Sequence, residues 1–144
     1  MPNVETILGQ KGTSVATVDR QATVLHAAKL MNERRIGALV VTSGENAVGI
    51  FTERDVLIRI VAAGRKPEDT LVGDVMTSPM ACCRRDSDIE ECKAVMTSKR
   101  IRHLPVVEEG TLYGMISAGD LLANECASQQ QTIQYMNEYL YGRR

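Results

Sequence analysis

The sequence predicts a mixed α/β (α+β) fold of two β-α-β-β-α units related by a pseudo-twofold axis. Their sheets pack together, and an extra C-terminal helix follows. Three observations carry this. The chain repeats itself: a shift of 65 positions lays Met31, Arg35, Ile36, Leu39, Val41, Gly49, Asp55 and Leu57 on Met96, Arg100, Ile101, Leu104, Val106, Gly114, Asp120 and Leu122 without a gap. Each copy has a helical spacing of apolar residues followed by two short apolar runs with a turn between them. The 144 residues, 44 % of them hydrophobic, suffice for one compact body, but a unit of about 50 residues buries too little to stand alone, so the copies pack on each other.

Each unit begins with a short extended piece, SVATV at 14–18 and MACC at 80–83. A helix follows in which Val24, Ala27, Ala28 and Met31, or Ile89, Cys92 and Met96, share one face. Next come two strands around a Gly-containing turn: ALVVT and AVGIFT around SGEN, then HLPVV and LYGMIS around EEGT. A closing helix starts at TERDVLIRIVAAG and at SAGDLLANECA, with Val56, Leu57, Ile60 and Val61, or Leu121, Leu122 and Cys126, on the buried face. VGDVM, between Pro67 and Pro79, resembles VETIL near the N-terminus; both read as short helices that cross to the partner unit. The expected boundaries are 4–64, 65–126 and a helical tail at 127–144, where Ile133, Met136 and Leu140 form an apolar stripe beside Tyr135 and Tyr139.

Composition removes several function classes. With 17 basic and 18 acidic residues the net charge is -1, too weak a field to gather nucleic acid or an anionic membrane. Trp is absent and Phe51 is the single Phe, which argues against a base-stacking platform. No segment reaches the roughly 18 apolar residues of a membrane span, and the N-terminus has no secretory pattern; the protein reads as cytoplasmic. Cys82, Cys83, Cys92 and Cys126 lack metal or CxxC spacing and read as structural or free thiols. GQKGTS at 9–14 has the wrong spacing for a phosphate loop. His26 reads as a solvent-facing helix residue, and no acid/base or metal constellation supports an enzyme.

The chemistry concentrates in T-x-x-D, Thr52 and Asp55, repeated as Ser117 and Asp120. Two readings stand. The hydroxyl is a helix N-cap, and the Asp faces the positive end of the dipole. Alternatively, the Asp accepts two hydrogen bonds from a vicinal diol such as ribose while neighbouring amides favour phosphate. Gly49 and Gly114 sit inside strands, where glycine weakens packing, so each marks close approach of a ligand or another backbone.

The ordered set VGDVMT, the helix ending M-x-x-x-R-I, the strands RHLPVV and GMIS and the terminal T/S-x-x-D resembles a tandem pair of cystathionine β-synthase (CBS) domains, a Bateman module, over about residues 4 to 126. The resemblance implies a non-catalytic module that binds an adenine nucleotide in the clefts between repeats: AMP, ADP, ATP or NAD(H), with S-adenosylmethionine the weaker match. It implies ribose contacts from Asp55 and Asp120, hydroxyl contacts from Thr52 and Ser117, and an adenine contact from Thr17. The adenine pocket would use backbone at Ile36, Gly37 and Ala38, or at Ile101, Arg102 and His103. Arg54, Arg102 and His103 are the phosphate candidates ahead of Lys99 and Arg100, and Pro105 sets the strand edge. Cys82 stands where the first copy has Thr17, and Arg102 and His103 where it has Gly37 and Ala38, so the clefts are unequal and one or two nucleotides per chain are both open. Family modules pair into discs, which implies a homodimer; the tail folds on its own module or clamps that dimer. Vestigial clefts in a pure interaction module are the alternative function.

Overall fold

The structure, a computed structural model, describes residues 2–126; the expected tail helix lies outside them. Helix α1 (Val4–Lys11) starts at Asn3, whose side chain accepts a hydrogen bond from the Thr6 N–H. Strand β1 (Thr17–Asp19), helix α2 (Val24–Arg34) and strands β2 (Ala38–Ser43) and β3 (Asn46–Thr52) follow. Helix α3 (Glu53–Asp55) then runs into a π-helical stretch, Val56–Val61. A 3-10 turn at Pro67–Asp69 leads to α4 (Val72–Val75), and the second half continues as α5 (Ile89–Lys99), β4 (His103–Glu108), β5 (Thr111–Ser117) and α6 (Ala118–Cys126).

The repetition read from the sequence holds in three dimensions. Thr23 caps α2 and Asp88 caps α5; Val24, Ala27 and Met31 are buried on one, and Ile89, Cys92 and Met96 on the other. Both helices stop at an arginine in the left-handed region, Arg35 at φ 54° and Arg100 at φ 55°. The β2–β3 and β4–β5 hairpins pair antiparallel, with Val41 opposite Gly49 and Val106 opposite Gly114, and each register slips at the same place.

The first strand is where the halves diverge. β1 pairs parallel with β2 through Thr17–Val40, Val18–Val41 and Asp19–Thr42, whereas the expected strand at 80–83 is reduced to one bridge, Cys83 to Val106. The cause is a missing donor. The Val40 N–H donates to the Ala16 carbonyl at 3.2 Å, but its counterpart Pro105 has no N–H to offer Ala81. Only the bonds on either side of Cys83 survive, from its N–H to Pro105 O and from the Val107 N–H to its own carbonyl.

The crossing helices also form, and they exchange cores. Val4, Ile7 and Leu8 of α1 are buried among Cys92, Met96, Leu104 and Ile116 of the second half, while Val72 and Val75 of α4 are buried with Val24, Leu39 and Phe51 of the first. Each such side chain contributes about 1.5–3 kcal/mol by leaving water, so neither half is complete without a segment of the other. The two in-strand glycines accommodate these segments: a Cβ on Gly49 would fall 2.6 Å from Met76 Sδ, and one on Gly114 would fall 2.7 Å from Leu8 Cδ2. The close approach is made by the chain itself. β3 and β5 face one another between the halves, and the Ala47 N–H donates to Gly110 O at 3.0 Å.

The closing helices depart from the expected faces. Leu57 and Val61 are 62 % and 67 % exposed, and Ile60 alone is fully buried. Bonds from Ala62 N–H to Leu57 O and from Arg65 N–H to Ile60 O span five residues, which widens the turn and breaks the 3.6-residue spacing that placed Leu57 and Val61 inside. In α6 Leu121 is buried and Leu122 is 56 % exposed, since adjacent helical residues point about 100° apart. Cys83 and Cys92 are buried and unoxidised and Cys82 is exposed. No helix among the described residues is long and apolar enough to cross a membrane.

Candidate functional site

Both T-x-x-D motifs are helix caps. Thr52 N–H donates to Asp55 Oδ2 at 2.9 Å, and the Asp55 N–H returns to Thr52 Oγ1 at 3.4 Å. Ser117 N–H donates to Asp120 Oδ2 at 2.8 Å, and the Asp120 N–H to Ser117 Oγ at 3.1 Å. The cap uses one carboxylate oxygen and leaves the other free to engage something else, so capping and binding are compatible in one turn.

What each second contact is differs sharply. Asp55, 6 % exposed, receives the Thr77 hydroxyl on Oδ1 at 3.0 Å and has Arg59 Nε at 3.6 Å from the same oxygen. Arg59 is itself anchored, donating to the carbonyls of Val75 at 3.1 Å and Met76 at 2.9 Å. Asp120 instead takes the Lys11 ammonium at 2.7 Å, on the same Oδ2 that accepts the Ser117 N–H of the cap. Burial pushes the Asp120 carboxyl up, but the Lys11 ammonium and the Ser117 N–H and hydroxyl outweigh it and hold it below the usual aspartate value.

A cavity of about 750 Å³ opens beside Asp55, between the halves. It gathers Gly37, Thr52, Arg54, Asp55, Arg102 and His103 from the predicted set. Lys99, Arg100, Ile101, Glu53, Arg59, Thr77 and the apolar Ile50, Ile58, Pro79 and Ala81 complete the lining. Thr17, Ile36, Ala38, Pro105, Ser117 and Asp120 are not part of it. Ala38 and Pro105 are buried strand residues, Thr17 is exposed on β1, Ser117 ends β5, and Asp120 lies in the first turn of α6. Of Ile36, Gly37 and Ala38, Gly37 alone lines the cavity, and its carbonyl accepts the Glu53 N–H at 3.1 Å.

Five permanent cations, Arg54, Arg59, Lys99, Arg100 and Arg102, face this space against two carboxylates, Glu53 and Asp55. Such a lining favours an anion, and the apolar stretch from Ile50 to Ala81 suits a flat uncharged ring. His103 is half-buried here. Burial lowers its pKa below the ordinary histidine value, Glu53 opposes that, and Lys11 adds to it. Among the described residues no group of three or more His, Cys, Asp or Glu is placed to hold a metal ion.

Lys11, Glu53, Arg59 and Thr77 belong to these networks although the sequence reading did not single them out. Arg59 was accessible as the i+4 neighbour of Asp55 on one helix. Thr77 and Lys11 follow the two crossing segments, and nothing in their local sequence tells which Asp they meet.

Comparison with known proteins agrees with this architecture. The family model for the CBS domain matches twice, over residues 12–62 and 72–125. The chain is 36 % identical over 125 residues to the mitochondrial CBS domain-containing protein CBSX3 of Arabidopsis thaliana, covering 83 % of this chain and 61 % of that one. It is 32 % identical over 117 residues to CBS domain-containing protein YhcV of Bacillus subtilis, covering 81 % of this chain and 83 % of that one. It therefore spans about three fifths of the plant protein and most of the bacterial one. A solved structure of a CBS-domain protein from Burkholderia ambifaria, described as a candidate signal-transduction protein, superposes with a TM-score of 0.85 at 40 % identity, covering 90 % of this chain and 97 % of that one.

Proposed function

The chain belongs to the CBS-domain family as a tandem pair, and from that premise we propose that it is a non-catalytic sensor for an adenine nucleotide. Proteins of this family are generally regulatory. The ligand is AMP, ADP, ATP or NAD(H), bound in the cleft at Asp55, and its occupancy is passed on through the geometry of a homodimer or of a protein partner.

One observation carries the reading: a buried aspartate of T-x-x-D stands at the wall of a cavity of about 750 Å³ that also presents Arg54, Arg102 and His103. The volume falls within the range of small-molecule sites. Asp55 offers its carboxylate to a ribose diol once the Thr77 hydroxyl swings aside, Ile50, Pro79 and Ala81 suit adenine, and the arginines suit phosphate. Because the wall comes from both halves, a bound ligand bridges them. It shifts the protein only insofar as it binds one relative arrangement of the halves better than another.

Thermal unfolding of the chain with AMP, ADP, ATP, NAD, NADH and S-adenosylmethionine in turn tests this. A ligand at about 100 times its Kd adds roughly 2.7 kcal/mol of stability, and Asp55→Ala should remove the gain. Absence of a shift with all six overturns the reading.

The alternative, an interaction module, draws on a separate observation: Leu57, Ile58 and Val61 are exposed together on the stretch after α3. A homodimer formed through that face is compatible with either reading.

A further inference from the structure

The two halves treat their T-x-x-D aspartates differently: Lys11 meets Asp120, whereas Thr77 and Arg59 meet Asp55. Lys11 is the last residue of α1, which is joined in sequence to the first half but packed in the core of the second. Its ammonium donates to Asp120 Oδ2 at 2.7 Å and to the Met115 carbonyl at 3.0 Å. That same carboxylate oxygen already accepts the Ser117 N–H. Asp55, in contrast, is held by a neutral hydroxyl, Thr77, which can rotate and donate elsewhere, while Arg59 stands further off at 3.6 Å.

We infer that Lys11 is the residue that makes the two clefts unequal: it holds the carboxylate of Asp120 that would otherwise accept a ribose diol, so each chain takes one nucleotide, beside Asp55. This rests on the nucleotide reading given above. A ligand entering at Asp120 must first displace an ammonium from an ionic hydrogen bond and loosen the last turn of α1. At Asp55 the ligand has to turn aside the neutral Thr77 hydroxyl from Oδ1, while Arg59 Nε lies 3.6 Å from that oxygen and its guanidinium already donates to the Val75 and Met76 carbonyls. The two places are neighbours through His103, which pairs with Ser117 across β4–β5, lines the Asp55 cavity and feels the charges of Lys11 and Asp120.

The test is calorimetric titration of the full chain with AMP, comparing the native protein with Lys11→Met and with Lys11→Met/Asp55→Ala, alongside carbon NMR titration of the Asp120 carboxyl. Met keeps the length and apolar stem of Lys11 and removes its charge. The expected result is one equivalent in the native chain and two in Lys11→Met. The new site should be at least about tenfold tighter than any second event in the native protein, matching the weight of one charge-assisted hydrogen bond. It should survive Asp55→Ala, and the Asp120 carboxyl should titrate at higher pH without Lys11. Two equivalents in the native chain, one equivalent unchanged in Lys11→Met, or weaker binding in Lys11→Met overturns the inference while the nucleotide reading stands. If none of the six ligands binds any of these proteins but the Asp120 titration still moves, the nucleotide reading falls, and the stoichiometry falls with it.

Discussion

No Cβ fits between Gly49 and Thr77: one built on Gly49 lies 2.9 Å from the Thr77 carbonyl oxygen and 2.6 Å from Met76 Sδ. The first contact is with backbone that is itself hydrogen-bonded to Ile50 in both directions, so it cannot retreat. At the equivalent position of the second half, a Cβ on Gly114 meets only Leu8, a side chain with rotamers to spare. Gly49→Ala should therefore destabilise the protein by about 1–3 kcal/mol, the usual cost of overpacking, and Gly114→Ala by clearly less. Urea unfolding midpoints of the two variants decide it; equal losses would mean that the backbone contact at Thr77 yields as readily as a leucine.

The phosphate end of the proposed site has its own signature. Arg54 and Arg102 line the cavity, so replacing either with Ala should weaken AMP binding by about 10- to 100-fold, corresponding to the loss of one charge-assisted hydrogen bond. Adenosine, which carries no phosphate, should bind the variants and the native chain alike. Calorimetry with both ligands reads the contrast, and an equal loss for adenosine would assign the arginines a structural role.

Most of the architecture was legible because it is written twice. A single stretch such as ALVVT is ambiguous between strand and buried helix, but its recurrence as HLPVV with the same glycine and the same T/S-x-x-D downstream fixes both pieces at once. The repeat also explains what was misread. Symmetry predicted a strand at 80–83 to match β1, yet the departure was visible as Pro105 against Val40: one missing N–H removes the bond that holds the strand's start. The face of the first closing helix was misplaced because its π-helical stretch does not keep the 3.6-residue period, and Leu122 of α6 because it follows Leu121 directly and points about 100° away. Of the residues that line the cavity, Thr52, Arg54 and Asp55 were legible as a helix cap, a local feature, whereas Gly37, Arg102 and His103 came from the resemblance to the family. Lys11 and Thr77 were missed because they reach the aspartates through the crossing segments, and tertiary packing alone decides that route; Arg59, the i+4 neighbour of Asp55, was within reach of the helical spacing.

Arg85 and Glu108 give the acid limb of stability a named contributor. The guanidinium grips the carboxylate at 3.0 and 3.1 Å while the Arg85 N–H adds a third bond at 2.9 Å, and the same guanidinium lies 3.9 Å over the Tyr113 ring. The side-chain hydrogen bonds from Arg85 bring the Glu108 pKa from 4.5 down to about 2. A carboxyl depressed on folding supplies stability that is present above its unfolded pKa and lost as pH falls through the folded one. Glu108 should thus contribute down to about pH 4.5 and lose its contribution progressively toward pH 2. Unfolding free energies measured across that window should slope less steeply in Glu108→Gln than in the native chain; identical slopes would show that the pair is screened by solvent.

His103 makes nucleotide binding itself dependent on pH. In the free protein burial lowers its pKa, so below the usual value the unfolded chain binds a proton that the folded one resists. Stability at this residue therefore falls as pH drops through the unfolded value. An anionic phosphate placed in the cavity beside His103 reverses the preference, because the imidazolium then gains an opposite charge and the complex takes up a proton on forming. AMP affinity should rise by about three- to tenfold between pH 8 and pH 6, a tenfold change being one unit of differential pKa. The nucleotide's own phosphate also titrates there, so the measurement is the difference between the native chain and His103→Gln in matched buffers. A proton uptake that depends on buffer ionisation heat in the native chain and shrinks in His103→Gln places the phosphate at this histidine; the same pH profile in both proteins would move it away, toward Lys99 and Arg100.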